Sequence, residues 1–323
     1  MIRIRAFIGT CIGAVAIASA AAHAQTFPAK PIKVIVPFAP GSATDQNGRA
    51  FGAKMAEFLG QPLVVENRPG ANGMIGADAV AKAAPDGYTI LFGTNSTNAA
   101  LKSLMKKLPY DQDTAFAPIG FMSSVPLVVA VNNEFAAKTL GDLISMARAK
   151  PTAITFATAS TSQRVSTEML ASMAGIKLTS VPYKSSPGAI TDLIGGQVNM
   201  FTADFAVMLP QVQGGKIRAL AVTSAKRSGL LPNVPAVSEF PGMKDYELIA
   251  WFAAYAPAGT PRDVVSRINE AVNFAARSRD ITDRFGATGG EFAPGTPEAL
   301  AQRTARETVK WAKAIKDAGI EPE

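Results

Sequence analysis

The sequence predicts an α/β protein made of two units, each a mostly parallel sheet flanked by helices, with a cleft between them. Three observations point to it. The chain has 323 residues, which at roughly 150 residues per domain suggests two domains. Short apolar runs alternate with amphipathic stretches in β-α-β order, the pattern of parallel strands with helices on their faces. The same alternation then restarts near Leu127. A composition of 48% hydrophobic and 18% charged residues, with 27 Gly and 22 Pro, suits a globular chain rich in turns and argues against long disorder.

Residues 1–24 read as a secretory signal peptide. Arg3 and Arg5 precede an uncharged run, Ala6 to Ala22, which ends in the small-x-small site Ala22-His23-Ala24. The run is short for a membrane span and rich in Ala rather than Leu. Cys11 lies inside it, too near the start to be a lipoprotein cysteine. Cleavage after Ala24 would remove Cys11 and His23, the chain's one Cys and one His. The exported chain would then have no means to run a Ser-His-Asp or Cys-His mechanism, or to hold zinc through N and S ligands. We therefore expect no enzyme, no cofactor and no metal.

Ile32 to Val36, bounded by Pro31 and Pro37, reads as the first strand. A helix over 43–59 follows, because Phe51, Met55, Phe58 and Leu59 share one face and Gly60 supplies a stop. Leu63 to Val65 is a second strand. A Gly-rich turn over 69–73 opens a helix to about Ala83, and Thr89 to Phe92 is a third strand. In the second unit the expected strands are 127–131, 154–157, 178–181, 198–202 and 217–222. The helices between them are 140–149, 162–173, 187–193 and 205–212. Residues 226–246 show little periodicity. Leu248 to Ala256 is a strongly apolar strand, followed by helices over 261–276, 278–285 and 297–318. In the last of these, Leu300, Thr304, Val309, Trp311, Ala312 and Ile315 form only a loose stripe, as in an outer packed helix.

Ligands of such folds bind beyond the C-terminal ends of the strands, which singles out three loops. Pro37 to Asp45 follows the first strand. Gly41 permits a tight turn, and Ser42 or Thr44 can cap the helix. The free N–H groups suit an anion, while Asp45 in the first turn also fits simple helix stabilisation. Gly93 to Asn98 is dense in small hydrogen-bonding side chains, for a ligand or for a capped, solvated turn. Thr158 to Arg164 repeats the chemistry of the first loop in the second unit, with Arg164 as a charge partner or a surface residue. Gly70, Gly73 and Gly76 lack the G-x-G-x-x-G spacing of a nucleotide fingerprint and read as close packing, as do Gly48 and Gly52. Acidic residues are scattered, so no paired-carboxylate hydrolase is indicated. The net charge of +7 fits a solvated surface or attraction of small anions. With no Lys/Arg-rich run and 7% aromatics, nucleic acid is not an expected partner.

A series of ordered blocks resembles the Bug-type periplasmic solute-binding proteins of tripartite tricarboxylate transporters. The blocks include Phe27-Pro28-Ala29-Lys30-Pro31-Ile32, Val36-Pro37-Phe38-Ala39-Pro40-Gly41 and Val65-Glu66-Asn67-Arg68-Pro69-Gly70. Further along come Ala84-Pro85-Asp86-Gly87-Tyr88, Lys107-Leu108-Pro109-Tyr110-Asp111, Val181-Pro182-Tyr183-Lys184 and Leu193-Ile194-Gly195-Gly196-Gln197-Val198. Ile217 to Val222 and Ala256 to Pro261 complete the series. The resemblance implies a two-lobed Venus-flytrap fold of type II. One lobe would be 25–125 plus 247–323 and the other 126–246. It also implies a monomeric periplasmic receptor for a small organic anion, a carboxylate, serving transporter membrane subunits, or alternatively a sensing module for a membrane receptor kinase. Carried over, the ligand residues are Phe38, Ala39, Gly41, Ser42, Thr44 and Asp45 in the first loop and Ser160, Thr161, Ser162 and Gln163 in the second. Thr94, Asn95, Ser96 and Asp204 would line the cleft. The sequence departs from the family pattern at Ser42, where a second Gly is common, in the glycine-free 159–164 loop, and at 199–204. These positions bear on which ligand is bound.

Overall fold

The computed structural model describes residues 27–287 and 289–322; the expected signal peptide lies outside the described residues. The strands are β1 (Ile32–Val36), β2 (Leu63–Asn67), β3 (Thr89–Thr94), β4 (Phe116–Asn132), β5 (Thr155–Thr158), β6 (Thr179–Pro182), β7 (Met200–Asp204), β8 (Ile217–Val222) and β9 (Ile249–Pro257). The helices are α1 (Ala43–Leu59), α2 (Met74–Ala81), α3 (Leu101–Leu104), α4 (Leu140–Ala149), α5 (Thr161–Ala174), α6 (Ser186–Ile194), α7 (Phe205–Gln213), α8 (Arg262–Arg277), α9 (Arg279–Gly286) and α10 (Pro297–Asp317).

Two parallel cores face each other through antiparallel strands. β1 pairs in parallel with β2 and β3, and β5 pairs in parallel with β6 and β7. β9 joins the first core antiparallel to β3. β4 belongs to both groups: Phe116 to Pro126 pairs with β9, while the stretch from Leu127 onward pairs with β7 and β8. The sequence marks only 127–131 of this 17-residue strand. Pro118, Gly120, Ser123, Ser124 and Pro126 break the apolar alternation of its first half, and the register shifts at Pro118/Gly120 and Phe121/Ser123. These bulges bend the strand and cancel the period-2 signal.

The outer elements follow their sequence patterns. Ser42 caps α1 by accepting the Asp45 N–H at 3.2 Å, and Gly60 ends the helix in the left-handed region at φ 69°. Between them Phe51, Met55 and Leu59 are buried. In α10, Leu300, Trp311 and Ile315 are buried and Val309 stands exposed. This helix ties the two groups together. Glu307 accepts the indole N–H of both Trp251 on β9 and Trp311, at 3.1 and 3.0 Å. Ser172 on α5 donates to the Asp317 carbonyl at 2.9 Å. Buried Trp251, Phe92 and Phe201 fill the core beneath, each worth about 2–3 kcal/mol by the area it removes from water.

Candidate ligand-binding site

A cavity opens between the two groups of strands. From the first group, its wall takes Phe38, Ala39, Ser42, Ala43 and Thr44 at the start of α1, and Thr94, Asn95 and Ser96 at the end of β3. Ala250 and Phe252 of β9 form its floor. From the second group come Ala159, Ser160, Ser162 and Gln163 at the start of α5, Lys184 to Ser186 before α6, and Asp204 at the end of β7.

The first loop is held by a charged network. The Asp45 carboxylate accepts the Gly41 N–H at 3.0 Å, Arg49 Nε at 3.0 Å and Asn67 Nδ2 at 2.9 Å. Asn67 also donates to the Phe38 carbonyl at 2.9 Å and accepts from Arg49. Gly41 adopts φ +81°, a conformation that L side chains take at a cost. Burial alone would raise the Asp45 pKa; the Gly41 amide, Arg49 and Asn67 outweigh it and hold the carboxyl below its usual range. Asp45 is therefore an ionised brace. The structure turns its carboxylate away from the cavity and ties up the Gly41 amide, so neither residue reaches the wall.

The second loop has a neutral brace. Gln163 Oε1 accepts the Ala159 N–H at 2.8 Å, and its Nε2 donates to Ser186 Oγ at 2.9 Å. The Ser160 and Ser162 hydroxyls lie 3.1 Å apart, and no side chain caps the α5 N-terminus. Thr161 is 1% exposed and does not reach the wall; its hydroxyl has no hydrogen-bond partner among the described residues. Arg164 is half-buried and also stays off the wall.

The third loop is no solvated turn. Ser96 to Ala100 forms a π-helical turn leading into α3, and Thr97 and Asn98 are buried. Gly93 is required beneath it, since a Cβ there would stand 2.1 Å from Asn98 Oδ1. Asn95 Oδ1 accepts the Trp251 N–H at 3.2 Å, which pins the side chain. Its Nδ2, in a residue 1% exposed, has no protein partner among the described residues.

The chemistry of the wall favours an anion. The starts of α1, α5, α6 and α7 all border it, bringing positive dipole ends and N–H groups from both sides. Ser42 and Ser185 use lone pairs on backbone N–H groups, and Thr94 Oγ1 accepts the Ser96 N–H at 3.1 Å. A hydroxyl that accepts in this way still has its proton to donate. Lys184 is exposed at the mouth, where it leads into a second cavity lined by Asn72, Pro182 and Tyr183. Asp204 opposes the trend. Burial pushes its carboxyl up to about 6, against weaker opposing hydrogen bonds from its own backbone and Gln163.

Sequence reasoning missed Lys184, Ser185, Ser186, Ala250 and Phe252, while Ala43 and Ala159 fall inside the two loops it singled out. Lys184 ends a motif that was legible, Val181 to Lys184, and Ser185 follows it. Ala250 and Phe252 sit inside an apolar strand, and nothing local marks them.

A two-lobed α/β fold with a donor-lined cleft between its lobes defines a periplasmic binding protein of type II. The profile of the tripartite tricarboxylate transporter family receptor matches residues 48–320, and the chain belongs to that family. Its fold is shared with the periplasmic binding protein BugD, at TM-score 0.87 and 32% identity over 92% of this chain and 100% of that one. The R. palustris protein Rpa4515, solved with adipate, matches at TM-score 0.88 and 33% identity over 92% and 100%. MatC from Rhodopseudomonas palustris, with bound malate, matches at TM-score 0.85 and 31% identity over 90% and 100%.

Proposed function

We propose that the protein is a periplasmic receptor that captures a small organic carboxylate between its lobes and delivers it to the membrane subunits of a tripartite transporter. The observation that carries this reading is the convergence of helix N-termini and hydroxyl donors from both groups of strands on one cavity. A ligand that satisfies donors on both sides stabilises the closed state. The lobes would be 25–125 with 247–323, and 126–246, with the crossover at Pro126/Leu127 of β4 and near Leu248. The ligand residues at the wall would be Phe38, Ala39, Ser42, Thr44, Thr94, Asn95, Ser96, Ser160, Ser162, Gln163 and Asp204. Gly41 and Asp45 would hold the first loop from behind, and Thr161 would lie buried behind the second. Adipate and malate in related proteins support a dicarboxylate, whose distal end would extend past Lys184 towards Tyr183.

The test is a thermal-shift screen of protein stripped of ligand by unfolding and refolding, against mono-, di- and tricarboxylates. A ligand at 100 times its Kd stabilises by about 2.7 kcal/mol, a rise of roughly 4–5 °C for a chain of this size. Saturable stabilisation by a carboxylate supports the reading. Stabilisation only by neutral compounds overturns it. Deletion of the gene separates uptake from sensing, since a sensor's loss abolishes induction while uptake persists.

A further inference from the structure

We propose that Asp204 acts in this cavity as a neutral acid, donating its proton to an oxygen of the captured carboxylate, so that ligand capture takes up one proton from solvent. The inference rests on the reading that the ligand is a carboxylate.

Asp204 ends β7, occupies the position before α7, and is 7% exposed. It lines the cavity directly, so an anion held there lies against it. Among the described residues, no cation pairs with it. Met200 to Gln213, the rest of its own strand and helix, carry no other ionisable group, and neither do the paired residues Leu127 to Val131 of β4. On α5, Glu168 and Arg164 interact with each other. On α6, Asp192 accepts the Tyr183 hydroxyl at 2.7 Å. On α1, Asp45 and Arg49 face each other at 3.0 Å. Lys184 is exposed at the mouth. The side chain bonded to Asp204 is the neutral Gln163.

Two ionised carboxylates cannot share a dry site, so one of the pair is protonated. An O–H···O⁻ bond is also among the strongest hydrogen bonds available to the ligand. Burial already pushes the empty-site carboxyl up to about 6, and a bound anion displaces it further in the same direction. The bound-state value therefore exceeds the free-state value, and affinity falls as pH rises through the free-state value. An alternative ligand, with an ammonium or hydroxyl facing an ionised Asp204, would show the opposite dependence or none.

Calorimetric titrations of ligand-stripped protein with adipate, malate and citrate, at pH 7 in two buffers of different ionisation enthalpy, count the protons. The expected uptake is about 0.9 proton per ligand, with Kd about 50-fold weaker at pH 8 than at pH 6. Asp204→Asn keeps a donor and should bind within a few-fold of the pH 6 wild type, with the pH dependence gone. Binding without proton uptake, or loss of binding in a folded D204N, overturns the proposal and leaves the carboxylate reading standing. Binding by none of the acids overturns both. A carbon-13 titration of Asp204 in the ligand-free protein needs no variant: a midpoint near 6 or above is expected, and one in the ordinary carboxylate range overturns the proposal.

Discussion

The loop before α1 and the loop before α5 do the same job with opposite electrostatics. Each turns a strand into a helix and presents hydroxyls and backbone N–H groups to the cavity. The first is held by an ionised Asp45 bonded to Gly41, Arg49 and Asn67. The second is held by the neutral amide of Gln163 and has Asp204 beside it, a carboxyl bonded only to its own backbone and to Gln163, with no cation. The difference teaches that a carboxyl near a binding cleft belongs to the scaffold when a cation and several protein donors hold it ionised, and to the site when burial dominates and no cation holds it.

The largest expected effect comes from breaking the charged brace. Asp45→Ala leaves the Gly41 amide, Arg49 and Asn67 without their shared acceptor. It should lower unfolding free energy by about 3 kcal/mol and abolish measurable ligand binding, as read by denaturant titration and calorimetry. Because the Asp45 carboxyl is held below its usual range, its stabilisation is present above the ordinary value of 3.8 and is lost as pH falls through the depressed folded value. Unchanged stability in D45A would show the network to be incidental.

Asp204 should respond with the opposite sign. Its folded value of about 6 exceeds the ordinary value of 3.8, so the stability it contributes is complete below the lower value and is lost as pH rises through the upper one. Relative to Asp204→Asn, the ligand-free wild type should be about 2–3 kcal/mol less stable at pH 7 than at pH 4. Parallel stability-pH curves for the two proteins would contradict the assignment.

These two carboxylates also mark how far the sequence could be read. Strand and helix positions in both parallel cores were legible because apolar periodicity survives wherever an element buries one face or both. β8, α1 and α4 fall where the patterns place them. The first half of β4 was not legible, because its prolines, Gly120 and paired serines sit at bulges fixed by β9, more than a hundred residues away. The three site loops were legible as strand-to-helix junctions. Which way Asp45 turns was not, since its partner Asn67 comes from β2 and no local spacing announces it. Phe252 was likewise hidden in an apolar strand that reads as pure core.

A smaller effect should follow from weakening the neutral brace. Gln163→Ala removes the acceptor for Ala159 N–H and the donor to Ser186, at a cost of about 1–2 kcal/mol. Binding should weaken about tenfold, as measured by calorimetry, because the loop is then positioned only by its backbone. A loss as large as that of D45A would erase the contrast between the two loops. The smallest expected change is Ser42→Ala. It removes a helix N-cap worth about 1 kcal/mol together with one donor at the wall, so thermal stability falls slightly and affinity drops several-fold.

The central claim is that the cavity between the two groups of strands captures the carboxylate. The most direct measurement is a calorimetric titration of ligand-stripped wild type beside Ser160→Trp, an indole placed to fill the chamber from the α5 side. Circular dichroism is used to check that both are folded. The account predicts a saturable one-to-one isotherm for a carboxylate in the wild type and no heat of binding in S160W. Undiminished binding by a folded S160W would place the ligand elsewhere and contradict it.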